Sequence, residues 1–133
     1  MAFSCAYAVQ TMISSNLDGL FAPNAIALIG ASHENRSVGA ILARNLFSAG
    51  FSGPVMPVNP HEDAIRSAIN YRTISDLPAP PDLAVVATPP DTVASIVNEL
   101  GARGRRAAII VTADVDEVGR RAMLRAAQPY DMR

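Results

Sequence analysis

The chain has 133 residues, half of them hydrophobic, a single cysteine and a formal net charge of −1. That length and apolar content fit one domain with a sizeable buried core, while the near-neutral charge argues against a nucleic-acid or anionic-membrane surface. The lone Cys5 rules out an internal disulfide framework and fits a reducing, cytoplasmic setting.

Residues 1–16 read as a leader and 17–133 as the domain proper. Met1 to Gln10 is apolar but lacks a basic n-region and a cleavage signal, so no signal peptide is expected. No uninterrupted apolar run reaches the about 20 residues needed to span a bilayer. A short helix and loop are expected over residues 1–20, and Pro23-Asn24 marks a turn before the first apolar run.

Ala25 to Ile29 is continuously apolar, which suits a strand covered on both faces, as in parallel sheets. Ser37 can cap the next helix, whose Val38, Ile41, Leu42 and Leu46 fall at helical spacing and which Gly50 can stop. A second strand is expected over Pro54 to Asn59, ending at Pro60, and a short third over Asn70 to Ile74. Pro78, Pro80 and Pro81 mark a surface turn before a buried strand over Asp82 to Ala87. Asp91 can cap a helix with the stripe Val93, Ile96, Val97 and Leu100, closed by Gly101. Ala107 to Thr112 reads as another strand, and Asp116 to Gln128 as an Arg-rich helix ended near Pro129.

Strand–helix–strand alternation with short loops implies right-handed crossovers and a mostly parallel α/β sheet with helices on both faces. Ligands of such sheets sit at the carboxyl ends of the strands, near the reversal of strand order. Four loops reach that edge: Gly30 to Ser37, Asn59 to Glu62, Thr88 to Asp91, and Thr112 to Asp116.

The first loop suits an anion. Gly30 lets a phosphate approach the backbone, Ser32 offers a hydroxyl, and Arg36 a charge-assisted contact. The amides at the start of the Ser37 helix carry partial positive charge. All eleven basic residues are arginine, so a side-chain phosphate contact comes from Arg or His, never Lys. The plainer reading is an ordinary strand-to-helix turn that needs Gly30 for geometry only.

A dinucleotide meets two objections. The G-x-G-x-x-G fingerprint is absent, because a longer insert separates Ala31-Ser32 from Gly39, and the second strand delivers Val58-Asn59-Pro60 where an acidic ribose ligand belongs. No Gly-Lys-Ser/Thr occurs, which excludes a Walker-type loop, and no G-x-S-x-G occurs, which excludes a nucleophile elbow. His33 and His61 sit on loops facing the expected site without a partnering carboxylate pattern, so they read as hydrogen-bonding or solvated residues rather than bases. Asp114, Asp116 and Glu117 read as an acidic first helical turn, and no residue set has metal-ligand spacing. Arg103, Arg105 and Arg106 read as a solvated turn, and Arg120, Arg121 and Arg125 as possible partners of Glu117.

Taken in order, Leu20 to Ser32, Val38-Gly39, Asn45-Leu46, Gly50 to Gly53, Pro57 to Pro60, Asp76 to Pro78, Asp82 to Pro89, Val93 and Ile109 to Ala113 resemble one family. It is the CoA-binding domain of NDP-forming acyl-CoA synthetases, relatives of the succinyl-CoA synthetase α subunit. The resemblance covers roughly residues 17–133 and rests on the order of the motifs together. It implies a three-layer, Rossmann-like domain.

By this resemblance, the loop carrying Gly30, Ala31, Ser32, Arg36 and Ser37 wraps the CoA phosphates, and Val58, Asn59, Pro60 and His61 border the adenosine. Thr88, Pro89 and Pro90, with Val111, Thr112 and Ala113, line the ADP and pantetheine path. Two positions depart from the family pattern. His61 stands where a lysine is common, which makes phosphate attraction there weaker and pH-dependent. Asp114 stands where a glycine is common, adding bulk and negative charge.

The resemblance further implies coenzyme A or acyl-CoA as ligand, with ATP and Mg handled by domains outside residues 17–133. It implies partners among downstream synthetase, ATP-grasp or acetyltransferase domains, is compatible with a homo-oligomer, and implies a chain that continues past Arg133 into another strand. No catalytic residue and no metal site is expected in the domain itself. The alternatives are an NAD(P)-binding domain of an oxidoreductase or redox sensor, and a degenerate structural or regulatory module.

Overall fold

A computed structural model describes residues 17–105 and 107–133. Residues 17–21 are helical, and the rest of the expected N-terminal helix and Cys5 lie outside the described residues. The main elements are β1 (Ile26–Ile29), α1 (Val38–Ser48), β2 (Val55–Val58), β5 (Leu83–Val86), α2 (Pro90–Ala102), β6 (Ala107–Ile110) and α3 (Glu117–Ala127). Between β2 and β5 lies a small antiparallel hairpin, β3 (Ala64–Ile65) with β4 (Ala68–Ile69).

The four main strands form a parallel sheet in the order β2-β1-β5-β6. The chain moves outward from β1 to β2, then returns to the other side of β1, so the strand order reverses between β1 and β5. Side-chain alternation along each strand divides the core in two. Ile26, Leu28, Leu83 and Val85 pack with Ala43, Leu42 and Leu46 of α1. Ile29, Ala84 and Val86 pack with Val93, Val97 and Leu100 of α2 and with Met123 and Ala127 of α3. This is the expected three-layer α/β arrangement, and every residue of β1 and β5 is buried. Pro57 is tolerated within β2 because that strand lies at the sheet edge.

Helix signals read from sequence hold in part. The Ser37 hydroxyl accepts from the Ala40 amide at the start of α1, and Gly50 follows the helix with a φ of 74°. Asp116 caps α3 by accepting from the Gly119 amide at 2.7 Å. At α2 the expected cap is displaced. Pro89 is the N-cap and Pro90 the first helical residue, with Asp91 inside the first turn. Proline has no amide to leave unsatisfied there, and its fixed φ suits a helix start. Nor does Gly101 close α2, which runs to Ala102, with Gly104 supplying the positive φ of 79° beyond it. Gly101 is buried against the Tyr130 ring instead.

The strand expected over Asn70 to Ile74 is not formed. Tyr71 makes one isolated parallel bridge to Val58, and Ile74–Asp76 is a 3₁₀ turn. Asp76 accepts from both the Thr73 amide (3.1 Å) and its hydroxyl (2.8 Å), which fixes that turn.

Candidate functional site

The C-terminal edge of the sheet is built on close backbone packing. Gly30 follows β1 with a φ of +90°, and a Cβ there would lie 2.5 Å from the Ala87 carbonyl oxygen. A side chain on Gly39, in the first turn of α1, would occupy the space of the Gly30 carbonyl. These contacts hold the 30–37 loop against the sheet. The ladder runs on past the strands into the same edge: Gly30 N donates to Val58 O, Ala87 N to Ile29 O, and Val111 N to Val86 O, at 3.0, 2.8 and 2.8 Å.

Asn59 and Asn70 fix the neighbouring loops. The Asn59 side-chain amide donates to Ala31 O at 2.7 Å, and its oxygen accepts from the His61 amide at 2.7 Å. Asn70 is buried, and its side-chain amide donates to Asn59 O (2.7 Å) and Glu62 O (2.6 Å). Its Oδ1 has no hydrogen-bond partner among the described residues. On the opposite side of the first loop, His33 Nε2 pairs with Ala64 O of β3 at 2.6 Å.

Two cavities flank this loop. One is a crevice of about 390 Å³ over the ends of β1, β2 and β5, lined by Gly30, Val58, Asn59, Pro60, His61 and Thr88 among others. Ile29, Arg72, Thr73, Ile74, Ile96 and Glu99 complete its wall. Arg72 is anchored by Asp63 at 2.9 Å, an exposed pair whose stabilising effect is small. The other cavity, about 160 Å³, lies along the first turns of α1 and contains Ser32, Arg36, Arg44 and Arg66.

Of the fifteen residues expected at a site, six meet in the crevice, and Ser32 and Arg36 meet in the α1 cavity. Ala31 is buried and contributes its carbonyl, while Ser37 is engaged as a helix cap. Pro89 and Pro90 shape the start of α2 next to Thr88. Val111, Thr112 and Ala113 lie at the end of β6 and line neither cavity. Asp114, just beyond, has a φ of +60°.

The acidic cluster behaves as a helix start. Asp116 caps α3, and Glu117 pairs with Arg120 (3.2 Å) and Arg121 (3.1 Å). Arg103 pairs with Glu99 and reaches Ser75, and Arg106 lies outside the described residues. Among the described residues no group of three His, Cys, Asp or Glu is arranged to hold a metal ion, and no helix is long and apolar enough to cross a membrane.

Sequence reasoning missed Arg44, Arg66, Arg72, Ile96 and Glu99. Arg44 sits one turn after Ala40 on α1, so helical spacing contained the signal. Arg66 reaches the same cavity only through the β3–β4 turn, which carries no sequence mark.

Comparison with known proteins decides what kind of domain carries this edge. A family model described as CoA binding domain matches residues 24–133. The chain belongs to the CoA-binding domain family. It is 36% identical over 110 residues to a trans-feruloyl-CoA synthase of an unknown prokaryotic organism, which covers 83% of this chain. It is also 36% identical over 104 residues, 78% of its length, to an ADP-forming acetate–CoA ligase of Archaeoglobus fulgidus. A solved acetyl-coenzyme A synthetase of Ca. Korarchaeum cryptofilum superposes on 88% of this CoA-binding domain with a TM-score of 0.82 and 36% identity. The domain spans 16% of each of the two curated relatives and 26% of that solved chain. It therefore corresponds to one domain of larger acyl-CoA synthetases.

Proposed function

We propose that this domain binds coenzyme A or an acyl-CoA as one module of a larger NDP-forming acyl-CoA synthetase, and that it binds rather than catalyses. The observation that carries the reading is the Gly30 junction. There a φ of +90° and close packing on Ala87 hold the loop against the strand edge, with a crevice on one side and a cationic cavity on the other.

The residues present suit such a ligand. Ser32 and Ser37 offer hydroxyl donors and Arg36 a guanidinium for phosphates at a helix start, while Gly30 and Ala31 set the path of the loop that carries them. Val58, Asn59, Pro60 and His61 offer a wall for the adenosine. Thr88, Pro89 and Pro90, with Val111, Thr112 and Ala113, flank the route along which pantetheine would leave the edge. In the parent enzyme, acid, CoA and ATP would give acyl-CoA, ADP and phosphate, with ATP and Mg held by an ATP-grasp domain elsewhere. A protein acetyltransferase fused to a synthetase-like region would use the same module as a sensor. Either setting is intracellular, because CoA and ATP are.

Calorimetric titration with CoA tests the reading. Arg36→Ala and Ser32→Ala are expected to weaken binding about 5- to 10-fold each, in line with a charge-assisted or hydroxyl contact to phosphate. A folded sample that binds no CoA up to millimolar concentration overturns it. NADH fluorescence is expected to stay unchanged on mixing.

A further inference from the structure

The cavity beside α1 gathers three arginines from three separate segments: Arg36 from the first loop, Arg44 from α1 and Arg66 from the β3–β4 turn. No Asp or Glu lines it. Arg72, Arg103, Arg120 and Arg121 each have a carboxylate partner, whereas Arg36, Arg44 and Arg66 have none among the described residues. Two of the three are held in the left-handed backbone region, Arg36 at φ 74° and Arg66 at φ 48°. That conformation is unfavourable for a side chain of this size, and surviving outliers of this kind cluster where a ligand is clamped. The His33–Ala64 hydrogen bond ties the loop to the hairpin and so brings Arg36 and Arg66 to one cavity. Ser32 adds a hydroxyl that accepts from the Glu34 amide, leaving its own proton free to donate.

Three unpaired guanidinium groups around about 160 Å³ fit a compact dianion, since each offers a fork of donors matched to phosphate oxygens. The cavity also stands next to the crevice. Gly30 lines one and Ser32 the other, and two residues span at most about 7 Å. A ligand crossing the loop would therefore place its base in the crevice and a phosphate in the cavity. Coenzyme A, a nucleoside with a phosphomonoester on its 3′ side, suits that arrangement.

We infer that the Arg36–Arg44–Arg66 cavity is a phosphomonoester subsite that reads the 3′-phosphate of CoA and separates CoA from dephospho-CoA. The inference rests on the CoA-binding reading above and adds the residues that set its specificity. CoA and dephospho-CoA are titrated calorimetrically against the whole chain, its Arg44→Gln variant and its Arg66→Asn variant. Asparagine is chosen at position 66 because it tolerates a positive φ. The wild-type chain is expected to bind CoA at least about 10-fold more tightly than dephospho-CoA at low salt, and added salt should narrow that ratio. Each variant should reduce the ratio several-fold, and Arg44→Gln/Arg66→Asn together should bring it near one, with dephospho-CoA affinity unchanged throughout. Equal binding of the two ligands by wild type, or a ratio that persists in the double variant, overturns the subsite and leaves the CoA reading standing. Failure of the folded wild-type chain to bind either ligand overturns both.

Discussion

The carbonyl oxygen of Ala87 occupies the space a side chain on Gly30 would need, because a Cβ there would approach it to 2.5 Å. The φ of +90° at Gly30 adds a second obstacle to any other residue. Gly30→Ala is therefore expected to destabilise the domain by about 2–3 kcal/mol in urea unfolding, and to abolish CoA binding in whatever fraction remains folded. Wild-type stability in this variant would mean that the edge can relax around a methyl group.

Asn70 holds two loops of the crevice by donating to Asn59 O and Glu62 O. Asn70→Ala leaves both carbonyls short of a donor in a buried setting, which costs about 1–3 kcal/mol. The loss should appear as a lower urea midpoint together with weaker CoA binding, since Asn59 and His61 both line the crevice. A change in stability with no change in affinity would separate the hairpin from the binding wall.

Gly101 in α2 faces the Tyr130 ring so closely that a Cβ would overlap it. Gly101→Ala is expected to cost about 1–3 kcal/mol by overpacking, even though alanine favours helix. Tyr130→Ala should recover much of that cost in the double variant. A double-mutant cycle with a coupling near zero would refute the contact as the cause.

Asp114 adopts a φ of +60°, where glycine carries no Cβ penalty. Asp114→Gly is expected to leave stability unchanged or raise it by up to about 1 kcal/mol. It should also tighten CoA binding, because a negative charge is removed from the loop after β6. Calorimetry at two ionic strengths tests the electrostatic part, which should shrink as salt rises. Weaker binding in the variant would mean that Asp114 contributes a contact of its own.

Much of the architecture was legible because the signals are local. The apolar runs at Ile26–Ile29 and Leu83–Val86 have the continuous hydrophobicity of strands covered on both faces, and both are fully buried. Ser37 marked a helix start because its side-chain oxygen satisfies an amide a few residues away. The hairpin was not legible. Its turn residues Arg66 and Ser67 take φ values of 48° and 68° without the Asn or Gly that usually announces such a turn. Gly101 was misread for a related reason: a glycine near a helix end looks like a stop, and only the distant Tyr130 shows that it is a packing requirement.

The sequence by itself determined the order of the four main strands and the helices between them, the strand-edge loops and the family resemblance, because each depends on neighbours close along the chain. Tertiary structure alone decided which loop residues share a cavity. Arg36 and Arg66 meet only because His33 pairs with Ala64 across 31 positions, and Asn59 reaches Ala31 across 28. Such pairings follow from how the layers pack, and no local periodicity encodes them.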